Sequence, residues 1–453
     1  MSAEIQKALI QALTQLPSNE GSYHVYHFVT KPVLCKYPIE LNLSGTFRQS
    51  SKIHRLILVA HESNNEKPAL VCGLEAMEYK MKTTDAAPSL AYVSKIDTTG
   101  YKAPTSVTAT LIKSYLSSLA ECTIHIFARA QPQYLFPESA KNVSKHAQSD
   151  RGLIAWWLRV ISDTPFSTTV DAWWNVPGVD DQDSAKLEIR VTHNIESSLV
   201  KWHYGYPFDD SADAKSVIPN FPDDAKARLL KSYASYDKDD SEDDDDDEEE
   251  EEEEEVQEED DGESDSELQG VVRSNEGSSE RPRNKSPAPE ESSSDDDGDT
   301  AQSNKSKKNI KDLIDNNDPH SMTVREFWQL LSIGEECGAG KVTGLFIIRC
   351  GPVASVDNTS LPTPIMINSE QFTEIWNKLM SLDFSTKENN LESTLSLGSA
   401  IAESLQNSSY TPTKVVPTGQ AVEKTLKRPL QEVKQSIPAV NVLGGSFIKR
   451  KRT

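Results

Sequence analysis

The stretch YVSKIDTTGYKAPTSVTATLIKSYLSSL, Tyr92–Leu119, joins two periodicities across one turn. It opens as the end of a strand and then, after the turn, places Leu111, Ile112, Tyr115, Leu116 and Leu119 on one helical stripe. Thr105, Ser106 and Thr108 crowd the start of that helix. Unpaired backbone N–H groups and the dipole make such a start a seat for a phosphate. Asp97, placed just past the strand, faces the same crevice. An ordinary turn with a hydroxyl cap has the same signature, so the stretch gives strand, turn and helix and leaves the chemistry open.

Working outward, HRLILVA (His54–Ala60), LAYVSKI (Leu90–Ile96) and CTIHIFA (Cys122–Ala128) read as further strands among amphipathic helices, which makes the fold class α/β. The segment GLIAWWLRVIS (Gly152–Ser162) is a helix apolar nearly all round, hence buried. Adjacent helical residues point about 100° apart, so Trp156 and Trp157 are not expected to share one contact. Spacing alone puts both in the core, with a cavity wall as the alternative for one of them.

Composition then divides the chain. The 453 residues carry a net charge of −24, and Asp239–Glu267 alone holds 23 acids and no Lys or Arg, which leaves the rest near neutrality. Such a run repels itself and cannot bury apolar area, so residues 238–308 are expected to be a disordered acidic insert. It is repelled by nucleic-acid phosphates and attracted to a basic protein, histones being the obvious class; a solubilising spacer is the plainer reading. Folded character returns in SMTVREFWQLLSIGEECGAGKVTGLFIIR (Ser321–Arg349), where Ser321 or Thr323 caps a helix and a strand follows. A further helix is expected over Ser369–Leu382. Residues 1–237 and 309–407 thus read as two parts of one interrupted domain, because the second part is too small for a good core alone. Residues 408–453 read as a flexible tail whose basic end, Lys449–Arg452, suits nuclear import.

Five scattered cysteines without CxxC spacing point to free thiols in a reducing compartment, and no His/Cys cluster has zinc spacing. The amphipathic start, Ala3–Leu16, lacks the pattern of a signal peptide, and no apolar run is long enough for a membrane span. In FPDDAKAR (Phe221–Arg228), Pro222 suits a first helical position and Asp223 and Asp224 suit the first turn. Asp224 and Arg228, four apart, are placed to pair on the surface.

Taken together, VSKIDTTGY (Val93–Tyr101), IFARAQPQYLFPESAKNVSKH (Ile126–His146), the Trp156–Trp157 pair, FPDDAKAR, MTVREFW (Met322–Trp328) and the terminal NVLGG…KRKR resemble, in this order, the fungal Regulator-of-Ty-transposition histone acetyltransferase family. The resemblance implies a single domain with a mixed central sheet surrounded by helices, similar to the metazoan CBP-type acetyltransferase core. It implies acetyl transfer from acetyl-CoA, without a metal, to lysines of newly synthesised histone H3. It also implies a nuclear protein acting on H3–H4 with nucleosome-assembly-type and anti-silencing-type chaperones, in replication-coupled nucleosome assembly and the DNA damage response. Neither a membrane nor sequence-specific nucleic acid is an implied partner. Carried onto matching positions, Asp97, Trp157, Asp224 and Asp223 become the catalytic candidates and Lys226 the self-acetylated lysine. Ile96, Asp97, Thr98, Thr105, Ser106, Val107, Thr108, Ala109, Phe127, Arg129, Gln131, Tyr134, His146 and Trp156 become the cofactor side. Two other classes compete: a non-catalytic acidic histone chaperone, and an inactive acetyltransferase relative kept for binding.

Overall fold

The computed structural model of the protein describes residues 2–18, 21–39, 49–63, 66–81, 89–103, 107–191, 195, 197–236, 322–334, 337, 340–352 and 362–419. Eleven strands form one sheet: β1 (Ser22–Thr30), β2 (Val33–Lys36), β3 (Gln49–Glu62), β4 (Ala69–Met81), β5 (Ser89–Thr98), β6 (Cys122–Ala128), β7 (Val170–Asn175), β8 (Val200–Tyr204), β9 (Gly344–Cys350), β10 (Ile365–Ile367) and β11 (Thr413–Val415). Their main order is β10-β1-β3-β4-β5-β6-β9-β7-β8, with β11 on β1 and β2 on β3. The pairs β1–β10, β5–β6 and β7–β8 are parallel and the others antiparallel, so the sheet is mixed, as expected.

Nine helices are described: α1 (Ser2–Thr14), α2 (Val107–Ser117), α3 (Asp150–Ser162), α4 (Gln182–Glu188), α5 (Ala214–Val217), α6 (Ala225–Tyr236), α7 (Val324–Ile333), α8 (Ser369–Met380) and α9 (Lys387–Ser404). Alternation along the strands sends Val25, Ile57 and Val59 to the face covered by α1, α2 and α3, and Tyr26, Phe28, Leu56 and Leu58 to the face covered by α8 and α9. A strand buried on both faces reads as an unbroken apolar run, which is why HRLILVA shows no polar alternation. The predicted stripe Leu111, Ile112, Tyr115, Leu116 and Leu119 is buried throughout. Thr323, not Ser321, caps α7, in a reciprocal capping box with Glu326.

Residues beyond 321 place β9, β10 and β11 in the same sheet as the first eight strands, so the two parts make one body. The acidic insert over 238–308 lies outside the described residues. The flexible tail expected from residue 408 is corrected at its start: β11 pairs Val415 with Tyr23 and Thr413 with Val25, and Thr418 N–H donates to Thr14 O at 2.8 Å. Three residues on a sheet edge are too short to show any periodicity in sequence.

One buried polar network is tied into this body. Arg55, fully buried, donates from Nε to Glu78 Oε1 at 2.7 Å and from Nη2 to Glu78 Oε2 at 3.0 Å. The Tyr115 hydroxyl also donates to Glu78 Oε1 at 3.3 Å, joining α2 to the sheet. Arg55 Nη1 donates to His27 Nε2 at 2.7 Å, so the His27 proton sits on Nδ1 and is donated to Gln6 Oε1 at 3.0 Å. Burial, assisted by the Arg55 charge, holds His27 well below the usual histidine range. On the other face, burial pulls His125 of β6 down to about 3, with Lys226 and Arg349 contributing.

Two predictions follow from these groups. Arg55→Met leaves the Glu78 carboxylate buried and uncompensated, and is expected to cost about 3–5 kcal/mol in chemical denaturation followed by circular dichroism; a loss below 1 kcal/mol refutes the account. For His27 and His125, the folded protein resists a proton that the unfolded chain accepts below its ordinary pKa of about 6.5. Stability from both is therefore present above that pH and lost as pH falls below it, by about 1.4 kcal/mol per pH unit for each group. His125→Gln should accordingly lose about 2 kcal/mol less than wild type between pH 6.5 and 5, and equal losses would contradict this.

Candidate active site

The site begins where two parallel strands stop pairing. β5 and β6 run together from Ser89–Cys122 to Val93–Ile126, and beyond that pair both continue without each other. A bulge in the β4–β5 ladder sits at the same place, where Glu75 opposes Lys95, Ala76 opposes Val93 and Ser94 is passed over. The opening is a cavity of about 260 Å³ lined by Ser94–Thr98 of β5, except Lys95, and by Ile126–Gln131 on and after β6. Thr108, in the first turn of α2, and Trp156 and Trp157 of α3 complete its walls with Tyr134, Lys145, His146 and Gln148. Crevices at the carboxyl ends of parted parallel strands are where α/β sheets bind ligands.

α3 comes this close to the sheet because β9 begins with a residue that has no side chain: a Cβ on Gly344 would stand 2.8 Å from Ile154 Cγ1. The Trp156 and Trp157 rings meet edge to face at 5.3 Å. The expectation that they cannot share a contact is thus corrected. Their Cα–Cβ vectors diverge, but long side chains swing back over the same wall. Trp157 is 4% exposed and packs toward Phe346 at 6.3 Å, so it belongs to the core and the cavity at once.

Asp97 lies within β5, not past its end, and both of its oxygens are engaged. Oδ2 accepts from the backbone N–H groups of Tyr134, Leu135 and Phe136 at 2.7, 3.0 and 3.3 Å. Oδ1 accepts from Thr98 N–H and from Lys145 Nζ, each at 2.7 Å. The carboxylate therefore pins QYLFP to the strand, and Tyr134 is turned so that its hydroxyl donates to Arg129 O. Burial lowers the Lys145 ammonium from the usual lysine range, against the pull of Asp97. The glycine of DTTGY serves the same junction. Gly100 has φ +87°, and a Cβ there would meet Lys145 Cβ at 2.8 Å.

FPDDAKAR closes the other side. Phe221 stacks on Tyr92 of β5 with ring centroids 4.6 Å apart. Asp223 then adopts φ 58°, and α6 starts only at Ala225, so the acids precede the helix instead of occupying its first turn. The surface pair with Arg228 is not formed by Asp224. Asp224 is fully buried and its partner is Lys226, whose N–H donates to Oδ1 at 3.1 Å and whose Nζ stands 2.5 Å from Oδ2. The latter is a charge contact without hydrogen-bond alignment. Lys226 Nζ also lies 5.5 Å from the ring centre of Phe127, a cavity wall residue. Burial pushes the Tyr92 hydroxyl far up, with the charges of Asp224, Glu75 and Asp223 adding to the effect.

Of the residues expected on the cofactor side, Ile96, Asp97, Thr98, Thr108, Phe127, Arg129, Gln131, Tyr134, His146 and Trp156 line the cavity, joined by Trp157 from the catalytic set. Val107 and Ala109 do not. Val107 is buried in the core and Ala109 packs against it. Thr105 and Ser106 lie outside the described residues. Asp224 and Lys226 stand behind Phe127, while Asp223 is exposed. Lys145, Ser94 and Gln148 were missed: polar loop or bulge residues leave no periodic signal, though Lys145 lies inside the motif ending at His146.

A family model described as the histone acetyltransferase KAT11-type domain matches residues 116–245. The histone acetyltransferase rtt109 of Aspergillus flavus is 29% identical over 39% of this chain and 38% of its own length. That of Schizosaccharomyces pombe is 28% identical over 46% of this chain and 57% of its own length. The chain thus spans less than two thirds of either relative. Among solved structures, the crystal structure of Rtt109 from Aspergillus fumigatus superposes with a TM-score of 0.61 at 20% identity, covering 91% of this chain and 99% of that one, a likeness of fold. The resemblance to the fungal Rtt109 histone acetyltransferase family carried by the sequence motifs is borne out by these matches.

Proposed function

We propose that the protein is a histone lysine acetyltransferase that moves an acetyl group from acetyl-CoA to lysines of newly synthesised histone H3. The reading extends to H3–H4 presented by nucleosome-assembly-type and anti-silencing-type chaperones, in the nucleus, during replication-coupled nucleosome assembly and the DNA damage response. Residues 1–237 and 309–407 form one catalytic domain around the acidic insert. The observation that carries the reading is the crevice between β5 and β6 with the buried Asp224–Lys226 pair directly behind its Phe127 wall.

The cavity's chemistry fits acetyl-CoA. Thr108 in the first turn of α2 suits an anionic phosphate group, and Trp156, Trp157, Phe127 and Tyr134 offer aromatic walls. When bound, acetyl-CoA supplies an acetyl already activated as a thioester, so positioning accounts for much of what the protein must add. Asp97 holds the Tyr134–Phe136 backbone in place and is a support for the binding wall. A substrate lysine, with a reference pKa near 10.4, must shed a proton before it attacks. Asp224 is the carboxylate best placed to attract that lysine, yet the chain's own Lys226 occupies it. Acetylation of Lys226 removes the competing charge. It would leave Asp224 buried and unpaired, a state costing several kcal/mol, which an incoming substrate ammonium relieves.

Radiolabelled acetyl-CoA offered with H3–H4 and a chaperone should label histone, and Asp224→Asn should reduce transfer strongly while acetyl-CoA binding by calorimetry persists. Histone binding without label instead favours the chaperone reading or an inactive relative. Peptide mapping should find Lys226 partly acetylated in active protein, and Lys226→Arg should be slower because its charge is permanent. An unmodified Lys226 with an equally fast Arg variant ends that part. Asp97→Asn should chiefly raise the KM for acetyl-CoA through the released loop. Trp157→Ala should lose both activity and about 3–5 kcal/mol of stability; unchanged activity in a folded variant removes Trp157 from the site.

A further inference from the structure

Lys95 is the residue of β5 between Ser94 and Ile96 that does not line the cavity. Its ammonium points to the opposite side, where it donates to Glu75 Oε2 at 2.8 Å and stands 3.6 Å from Asp223 Oδ2. It also lies 5.3 Å from the ring centre of Trp376 on α8. Glu75 is 2% exposed, and its second oxygen accepts from His54 Nε2 at 2.7 Å. His54 in turn stacks on Phe372 of α8 at 4.0 Å. Three pieces far apart in sequence therefore meet on one ammonium: the bulged strand, the turn before α6 and the helix α8.

From this arrangement we infer that Glu75 and Lys95 are positioning residues for the Asp223–Asp224 turn. The inference rests on the acetyltransferase reading and adds two residues to it. Glu75 cannot reach the turn usefully by itself, since a third carboxylate beside Asp223 and Asp224 repels both. Holding Lys95 converts that repulsion into attraction: the ammonium is fixed by a buried partner and faces Asp223. Asp223 takes a left-handed backbone, uncommon for a residue with a side chain, and its carboxylate is 77% exposed. A tether so exposed contributes little to overall stability. It does select where the next residue, Asp224, is buried behind the Phe127 wall. Lys95 also keeps the local charge balanced, so that the carboxylates can face one substrate lysine without driving the turn outward.

Steady-state transfer to H3–H4 by the full chain tests this, with Lys95→Met, Lys95→Arg, Glu75→Gln, Asp223→Asn and the double variant Lys95→Met/Asp223→Asn. Lys95→Met is expected to lower kcat by about tenfold at a temperature where it stays folded, leaving the acetyl-CoA Kd near that of wild type while its melting temperature falls because buried Glu75 loses a partner, and Lys95→Arg should restore most of the rate. In the Asp223→Asn background the Lys95→Met change should have no further effect, because both act through one contact. Glu75→Gln should resemble Lys95→Met in kcat, and its melting temperature reports separately any loss from the buried site. Equal rates for Lys95→Met and wild type, or fully additive effects in the double variant, overturn the proposal. A wild-type protein that binds H3–H4 but transfers no acetyl fails the function reading instead, and is told apart by that control alone.

Discussion

The structure depends on the Asp97 carboxylate. Two parallel strands that part leave backbone donors and acceptors without ladder partners, and a crevice at that point survives only if something else satisfies the chain passing over it. Asp97 does so with one oxygen for three successive N–H groups of QYLFP and the other for Thr98 and Lys145. Without it, the Tyr134 backbone loses the bond that aims its hydroxyl at Arg129 O, and the loop to His146 is left to the burial of Leu135 and Phe136 and to the Asn142 bond to Thr99 O. A residue that the family resemblance makes a catalytic candidate is thus saturated by donors from its own protein.

The two carboxylate sites of the cavity region solve opposite problems. Asp97 is neutralised by many dipoles and one ammonium, a permanent arrangement suited to holding a wall. Among the described residues, Asp224 is neutralised by one group, Lys226, two residues along the same chain. A buried charge with a single partner is costly to strip and therefore responsive to any chemistry on that partner. The two carboxylates thus differ in how many donors share each, and under the proposed function that difference separates a frame from a switchable seat.

Sequence made some of this legible and concealed the rest for physical reasons. Periodicity marked α2 and α3 and the buried strands, because burial imposes a stripe or an unbroken apolar run. The motifs brought Phe127, Tyr134, His146 and the tryptophan pair to one cavity. What periodicity misjudged were contacts that depend on side-chain reach. Four-residue spacing nominated Arg228 as the partner of Asp224, whereas the chain enters α6 at Ala225, three residues later than Pro222 at the first position suggests, and Asp224 is turned inward to Lys226. Trp156 and Trp157 diverge at the backbone and converge at the rings. Lys145 and β11 sit in stretches too short or too polar to carry a period.

The Arg55 network shows why such a site can tolerate strain at its edge. Arg55, Glu78, His27 and Tyr115 are buried on the face opposite the cluster at Glu75 and tie α1 and α2 to the central strands. The bulge at Ser94, the left-handed Asp223 and the parted strands each give up local pairing. They lie beside strands already fixed from both faces, by apolar alternation on one scale and by this bidentate pair on another. Buried pairing is thus concentrated away from the cavity, and the strands nearest the cavity are free to diverge because their neighbours are not.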